Sequence, residues 1–142
     1  MKYKTPEEII IGKISENRGT KNFINKYELI KLAEENNIED ITDKTDKKVI
    51  AVKIAEKIGY PELAVKANVG VSSYEMQEKF SITNDDVKKM AKYGFITVVG
   101  KERFRMYGKT RYANLYSPYD YFKSQEEIND WIAEHPKREK KV

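Results

Sequence analysis

Ser72-Ser73-Tyr74-Glu75 and Thr83-Asn84-Asp85-Asp86 are two helix-start signatures separated by eleven positions, and that spacing constrains the fold more than any other feature. In each, a hydroxyl accepts from a free amide of the first turn while the acid three residues on reaches back to the cap. The first helix has room for barely two turns, with Tyr74, Met76 and Phe80 as its apolar side, before Ser81-Ile82 breaks it. The second turns Val87, Met90, Ala91 and Tyr93 inward and Lys88, Lys89 and Lys92 toward water, and Gly94 falls where a left-handed residue stops a helix. Two short helices joined by such a tight turn form a helix-turn-helix pattern.

A ribbon follows. Phe95 to Val99 is apolar and rich in β-branched residues, and Gly100-Lys101 is expected to turn it. Phe104, Met106 and Tyr112 then interleave with Arg103, Arg105, Lys109 and Arg111, which predicts a strand pair with one basic and one apolar face. From Phe95 to Tyr112 there are five Lys/Arg and one Glu, a surplus equal to the net charge of +4 carried by all 142 residues. Leu115-Tyr116 leads to Ser117 as a cap, Pro118 at the first position of a short closing helix and Asp120 in its first turn.

On EKFSITNDDVKKMAKYGFI, the basic ribbon and LYSPYDY, residues 71–122 resemble the winged-helix DNA-binding domains of the excisionase and MerR-like group. The resemblance implies a second helix in the major groove and a wing on phosphates or in the minor groove. Carried onto this chain, it assigns base edges to Asn84, backbone contacts along the helix to Lys88, Lys89 and Lys92, and the wing to Arg103, Arg105, Lys109 and Arg111. Tyr107 and Tyr112 are further candidates for nucleic-acid contact, since every base offers a stacking face. The chain departs from the family at Asn84, Asp85 and Asp86, where Ser, Arg or Thr is common. Either carboxylate could accept from cytosine N4, and both also complement the positive end of a helix.

Toward the N-terminus, Thr5, Pro6 and Glu8 open a helix with Ile9, Ile10, Ile11 and Ile14 on one side, expected to end near Asn17 before the loop Arg18-Gly19-Thr20. A helix that short is unstable alone and should dock on a later element. Asn25 with Glu28 caps a helix carrying Tyr27, Leu29, Ile30, Leu32 and Ala33, which Asn36-Asn37 ends. After a loop over Ile38 to Lys44, Thr45 or Asp46 starts another with Val49, Ile50, Val52, Ile54, Ala55 and Ile58, stopped by Gly59. On KYELIKLAEENNI and KKVIAVKIAEKIGY, residues 22–64 resemble the SAP and helix-extension-helix modules, which mostly bind DNA or RNA, and also the N-terminal module of the Rho termination factor. From Asn25 to Gly70 there are eight Lys and nine Asp/Glu, a balance that runs against phosphate binding.

Pro61 to Val65 adds a turn before Asn68-Val69-Gly70, the expected join between packed halves: a helical module over 1–70 and a winged helix-turn-helix over 71–123. Ser124 and Glu127 cap a C-terminal helix over 124–136 with Ile128, Trp131 and Ile132 on one side, and 137–142 reads as a disordered basic tail.

Chemistry is hard to find. The single histidine, His135, precedes a proline at a helix end, so neither a triad nor a His-based metal site is expected, and the lack of cysteine excludes thiol catalysis and Cys-ligated zinc. Asp40, Asp43 and Asp46 lack the glycine and distal Glu of a calcium loop. Neither a phosphate-binding glycine loop nor a dinucleotide fingerprint is present. The expectation is a mainly α fold with a small β-ribbon (α+β), a helical hairpin module packed with a winged helix-turn-helix. Its expected role is to bind duplex DNA without enzymatic activity, metal or cofactor. The absence of a leader or of a roughly 18-residue apolar run points to a cytoplasmic protein without a membrane partner. An Ile-, Lys- and Asn-heavy composition suggests an AT-rich genome, and a compact two-module binder suits a phage or mobile-element regulator. A protein partner, with the winged helix as docking surface, is the alternative, and RNA is a third possibility.

Overall fold

The computed structural model describes residues 3–16 and 24–136. Asn17, the Arg18-Gly19-Thr20 loop and the basic tail at 137–142 lie outside the described residues. Within them the chain is α+β: seven α-helices and a three-stranded antiparallel sheet. The helices are α1 (Pro6–Ser15), α2 (Lys26–Glu35), α3 (Lys47–Ile58), α4 (Tyr60–Ala67), α5 (Ser73–Phe80), α6 (Asn84–Lys92) and α7 (Gln125–Glu134). The strands are β1 (Val71–Ser72), β2 (Val98–Met106) and β3 (Lys109–Tyr116), in the order β1-β3-β2.

Local chemistry accounts for the helix starts. Asn25/Glu28, Ser72/Glu75, Thr83/Asp86 and Ser124/Glu127 each close a reciprocal capping box, and Thr5 accepts from the Glu8 amide with Pro6 following it. Three expectations need correction. The Pro61–Val65 turn is a full helix, α4, continuing from α3 after Gly59 at φ 93°. The closing helix after Ser117 is a single 3-10 turn over Asp120–Phe122, with the Ser117 hydroxyl accepting from the Tyr119 amide. Tyr74 and Tyr93, expected inside, are 65% and 59% exposed. Tyr93 follows the last residue of α6, so the helical period no longer carries it inward.

Two apolar cores divide the body. One gathers Ile10, Ile14, Leu29, Ile50, Ile54 and Leu63 from α1 to α4; the other gathers Met76, Phe80, Val87, Met90, Ile96 and Ile128 from α5, α6, the segment before β2, and α7. The first helix serves both, because Ile9 enters the second core while Ile10, Ile11 and Ile14 enter the first. Lys13 extends that bridge: its ammonium donates to the Gly70 carbonyl at 2.9 Å and pairs with Glu75 at 2.8 Å. A helix too short to stand alone thus becomes the staple across the expected boundary at residue 70. The C-terminal helix is no separate unit either. Ile128 and Trp131 pack into the second core, Trp131 stacks on Phe95 with centroids 5.4 Å apart, and the Gln125 amide donates to the last carbonyl of α5.

Candidate nucleic-acid interface

The ribbon comes first, because it carries the charge. Its strands pair from Val98↔Tyr116 to Met106↔Lys109, with one irregularity between Val98 and Gly100. The chain therefore reverses at Tyr107-Gly108 and not at Gly100-Lys101. Both turn residues have positive φ, 53° and 74°, the signature of a two-residue type I′ hairpin. The Arg105 guanidinium closes the turn by donating to the Gly108 carbonyl at 2.8 Å.

Gly100 has another task. Asn68, left-handed at the C-terminus of α4, accepts from the Lys101 amide at 3.0 Å and donates to the Lys101 carbonyl at 2.9 Å. This side chain docks on the ribbon as a strand would, and a Cβ on Gly100 would collide with its oxygen. The helical module thereby sets the root of the ribbon. On the neighbouring segment, Asp120 accepts from the Thr97 amide at 2.8 Å. Burial pushes the Asp120 carboxyl above its usual range, while the Thr97 bond and Lys123 oppose the shift.

The register also corrects the expected faces. Cross-strand partners point the same way, so Glu102, Phe104 and Met106 share a face with Ala113, Arg111 and Lys109, and Lys101, Arg103 and Arg105 share the other with Asn114, Tyr112 and Thr110. All five cations occupy odd positions, and a two-residue turn pairs odd with even, so the charge divides between the faces. From Arg103 to Tyr112 every residue is exposed, and at about 3.3 Å per residue the tip stands roughly 20 Å beyond Lys101.

The short helix α6 presents a different surface. Lys88, Lys92 and Asp85 are exposed on its outer side. Lys89, expected to face water with them, is half-buried, and its ammonium donates to the carbonyls of His135 (2.9 Å) and Pro136 (2.6 Å). It ties α6 to the end of α7, where a cation complements the terminal carbonyls. Asp86 is buried in its capping box, bonded to the Thr83 amide at 3.0 Å, so base-reading by Asp86 gives way to a structural role. Asn84 is exposed, with its side-chain oxygen accepting from the Ser73 hydroxyl at the start of α5.

Asn68, Gly100 and the Tyr107-Gly108 turn were missed from sequence. The turn had one available signal: Gly108 lies in the gap between two alternating basic runs, Arg103–Arg105 and Lys109–Arg111. Elsewhere, a recess of about 410 Å³ opens between α1 and α3, and Glu7, Glu8 and Glu16 on its lining make it a poor phosphate seat. Among the described residues, no three acidic or histidine side chains gather to hold a metal ion, and no helix is long and apolar enough to cross a membrane.

Comparison with known protein families, with curated proteins and with solved structures finds no match to this chain. Function must be argued from the ribbon and the helix pair themselves.

Proposed function

We propose that the chain is a non-enzymatic duplex-DNA-binding protein in which residues 71–123 act as a winged helix-turn-helix, with the β2–β3 hairpin as its wing. One observation carries the reading: β1 leads into the α5–α6 pair, and the chain returns as a hairpin whose second strand joins β1 and whose exposed outer part carries four cations away from the body. Projecting cations neutralise phosphates and release their counterions, the main source of sequence-independent affinity for DNA. Arg103, Arg105, Lys109 and Arg111 hold the backbone in this reading. Lys88 and Lys92 support α6 at the groove, and Asn84 stands nearest base edges at its start. Lys89 drops out, because it is engaged by α7.

The SAP-like hairpin of α2 and α3 serves as a brace, since its apolar faces are spent on α1 and α4, and Asn68 at the end of α4 anchors the wing. A compact two-module binder of this kind suits a phage or mobile-element regulator. One observation favours the other reading, a protein-docking surface: the exposed carboxylate of Asp85 at the start of α6 repels a phosphate backbone. Fluorescence anisotropy on a labelled random-sequence duplex separates the two. Micromolar binding at low salt, weakening steeply as salt rises, supports the DNA reading; absence of binding at low salt overturns it. A partner captured at high salt after nuclease treatment favours protein docking.

A further inference from the structure

The tip of the wing carries a residue that the turn itself does not want. A type I′ hairpin favours Asn-Gly, Asp-Gly or Gly-Gly, because both central residues adopt positive φ. Here the first is Tyr107 at φ 53°, a bulky side chain in a conformation that such residues rarely adopt. The strand ladder and the Arg105 bond to Gly108 hold the turn, but the ring itself gains little from the fold, since Tyr107 is 92% exposed and Met106 beside it is 47% exposed. A strained position whose side chain stays in solvent marks a candidate for contact with something outside the fold. The surroundings say what. Arg103 and Arg105 lie on one face of the ribbon and Lys109 and Arg111 on the other. One strand of nucleic acid needs one cationic face; two phosphate backbones flanking a groove need both.

We propose that the wing tip is a wedge: Tyr107 inserts between adjacent base pairs of duplex DNA and bends it, with cations on both ribbon faces holding the two backbones. The proposal rests on the DNA-binding reading above and adds an architectural activity to it. Apolar or aromatic side chains driven into a base step unstack and kink the duplex. Pyrimidine–purine steps such as TA yield most readily, so the wedge selects deformable sequence without reading base edges.

The test uses a short duplex of alternating T and A, labelled at both ends for energy transfer, with anisotropy followed in parallel. The wild-type chain should raise end-to-end transfer as it binds. Tyr107→Gly suits the turn, so the hairpin keeps its form. This variant should bind within about tenfold of wild type, with the same salt dependence, and raise no transfer. Tyr107→Phe should bend as wild type does. Wild-type binding without a rise in transfer, or equal bending by Tyr107→Gly, overturns the wedge and leaves the DNA reading standing. A folded Tyr107→Gly chain that binds nothing also overturns it, because the tyrosine is then an affinity anchor. No binding by wild type at low salt overturns both.

Discussion

The helix α6 and the wing both look cationic along the chain, yet they put that charge to different uses. Of the three lysines on α6, Lys89 is spent on the carbonyls that end α7, and the helix opens with two acids, one of them buried as a cap. On the ribbon, Arg105 donates to Gly108 across the turn. A cation packed against a compact body is recruited by that body's own orphan carbonyls; one carried outward on an exposed hairpin lies away from them. The proposed grip should accordingly be strongest at the wing and weaker at the helix, while the fold rests on α6 through Val87 and Met90 and not on the wing.

The largest effect should come from the body. Phe80, 1% exposed at the centre of the second core, should cost about 3–5 kcal/mol when changed to Ala, read as a lower urea midpoint. Next comes the contrast between the two elements. Arg103→Ala with Arg105→Ala should leave stability within about 0.5 kcal/mol, while the log–log salt slope of binding flattens by about 2. Lys89→Ala should do the reverse, losing about 1 kcal/mol of stability with the slope unchanged. A flattened slope in Lys89→Ala would place that lysine on the nucleic acid and blur the distinction.

Asn68→Ala removes both bonds at the wing root and should cost about 1 kcal/mol. Faster hydrogen exchange at the Lys101 amide is its specific sign. The smallest effect is pH-linked. Because burial raises the Asp120 carboxyl, the folded state holds that proton more tightly than the unfolded chain. Its contribution is therefore full below 3.8, the unfolded value, and is lost as pH rises through the higher folded value. Asp120→Asn keeps an acceptor for the Thr97 amide, so its stability relative to wild type should improve over that window. A difference that stays flat with pH would remove the assignment.

What the sequence revealed were the features with local causes. Each capping box lies within four residues, and Ser72/Glu75 and Thr83/Asp86 place α5 and α6 without reference to the rest of the chain. The wing was legible as a charged ribbon but not in its register. Gly100 looked like a turn residue, whereas its missing side chain makes room for Asn68, 33 positions from Lys101, which it bonds. Tyr107 hid the true turn because a tyrosine at positive φ contradicts the composition rule for hairpins. With the turn misplaced, the parity of the pairing went too, and with it the division of cations between faces. Lys89 escaped because its partners, His135 and Pro136, lie across the chain just past the end of α7.

The measurement that reaches the central claim most directly is the salt dependence of duplex binding for two charge-neutralised chains. One carries Arg103→Gln, Arg105→Gln, Lys109→Gln and Arg111→Gln; the other carries Lys88→Gln and Lys92→Gln. With about 0.9 lost from the slope per phosphate contact, the wing variant should flatten by about 3 to 4 and the α6 variant by less than about 2. A wing variant that keeps the wild-type slope while the α6 variant loses it would contradict the account.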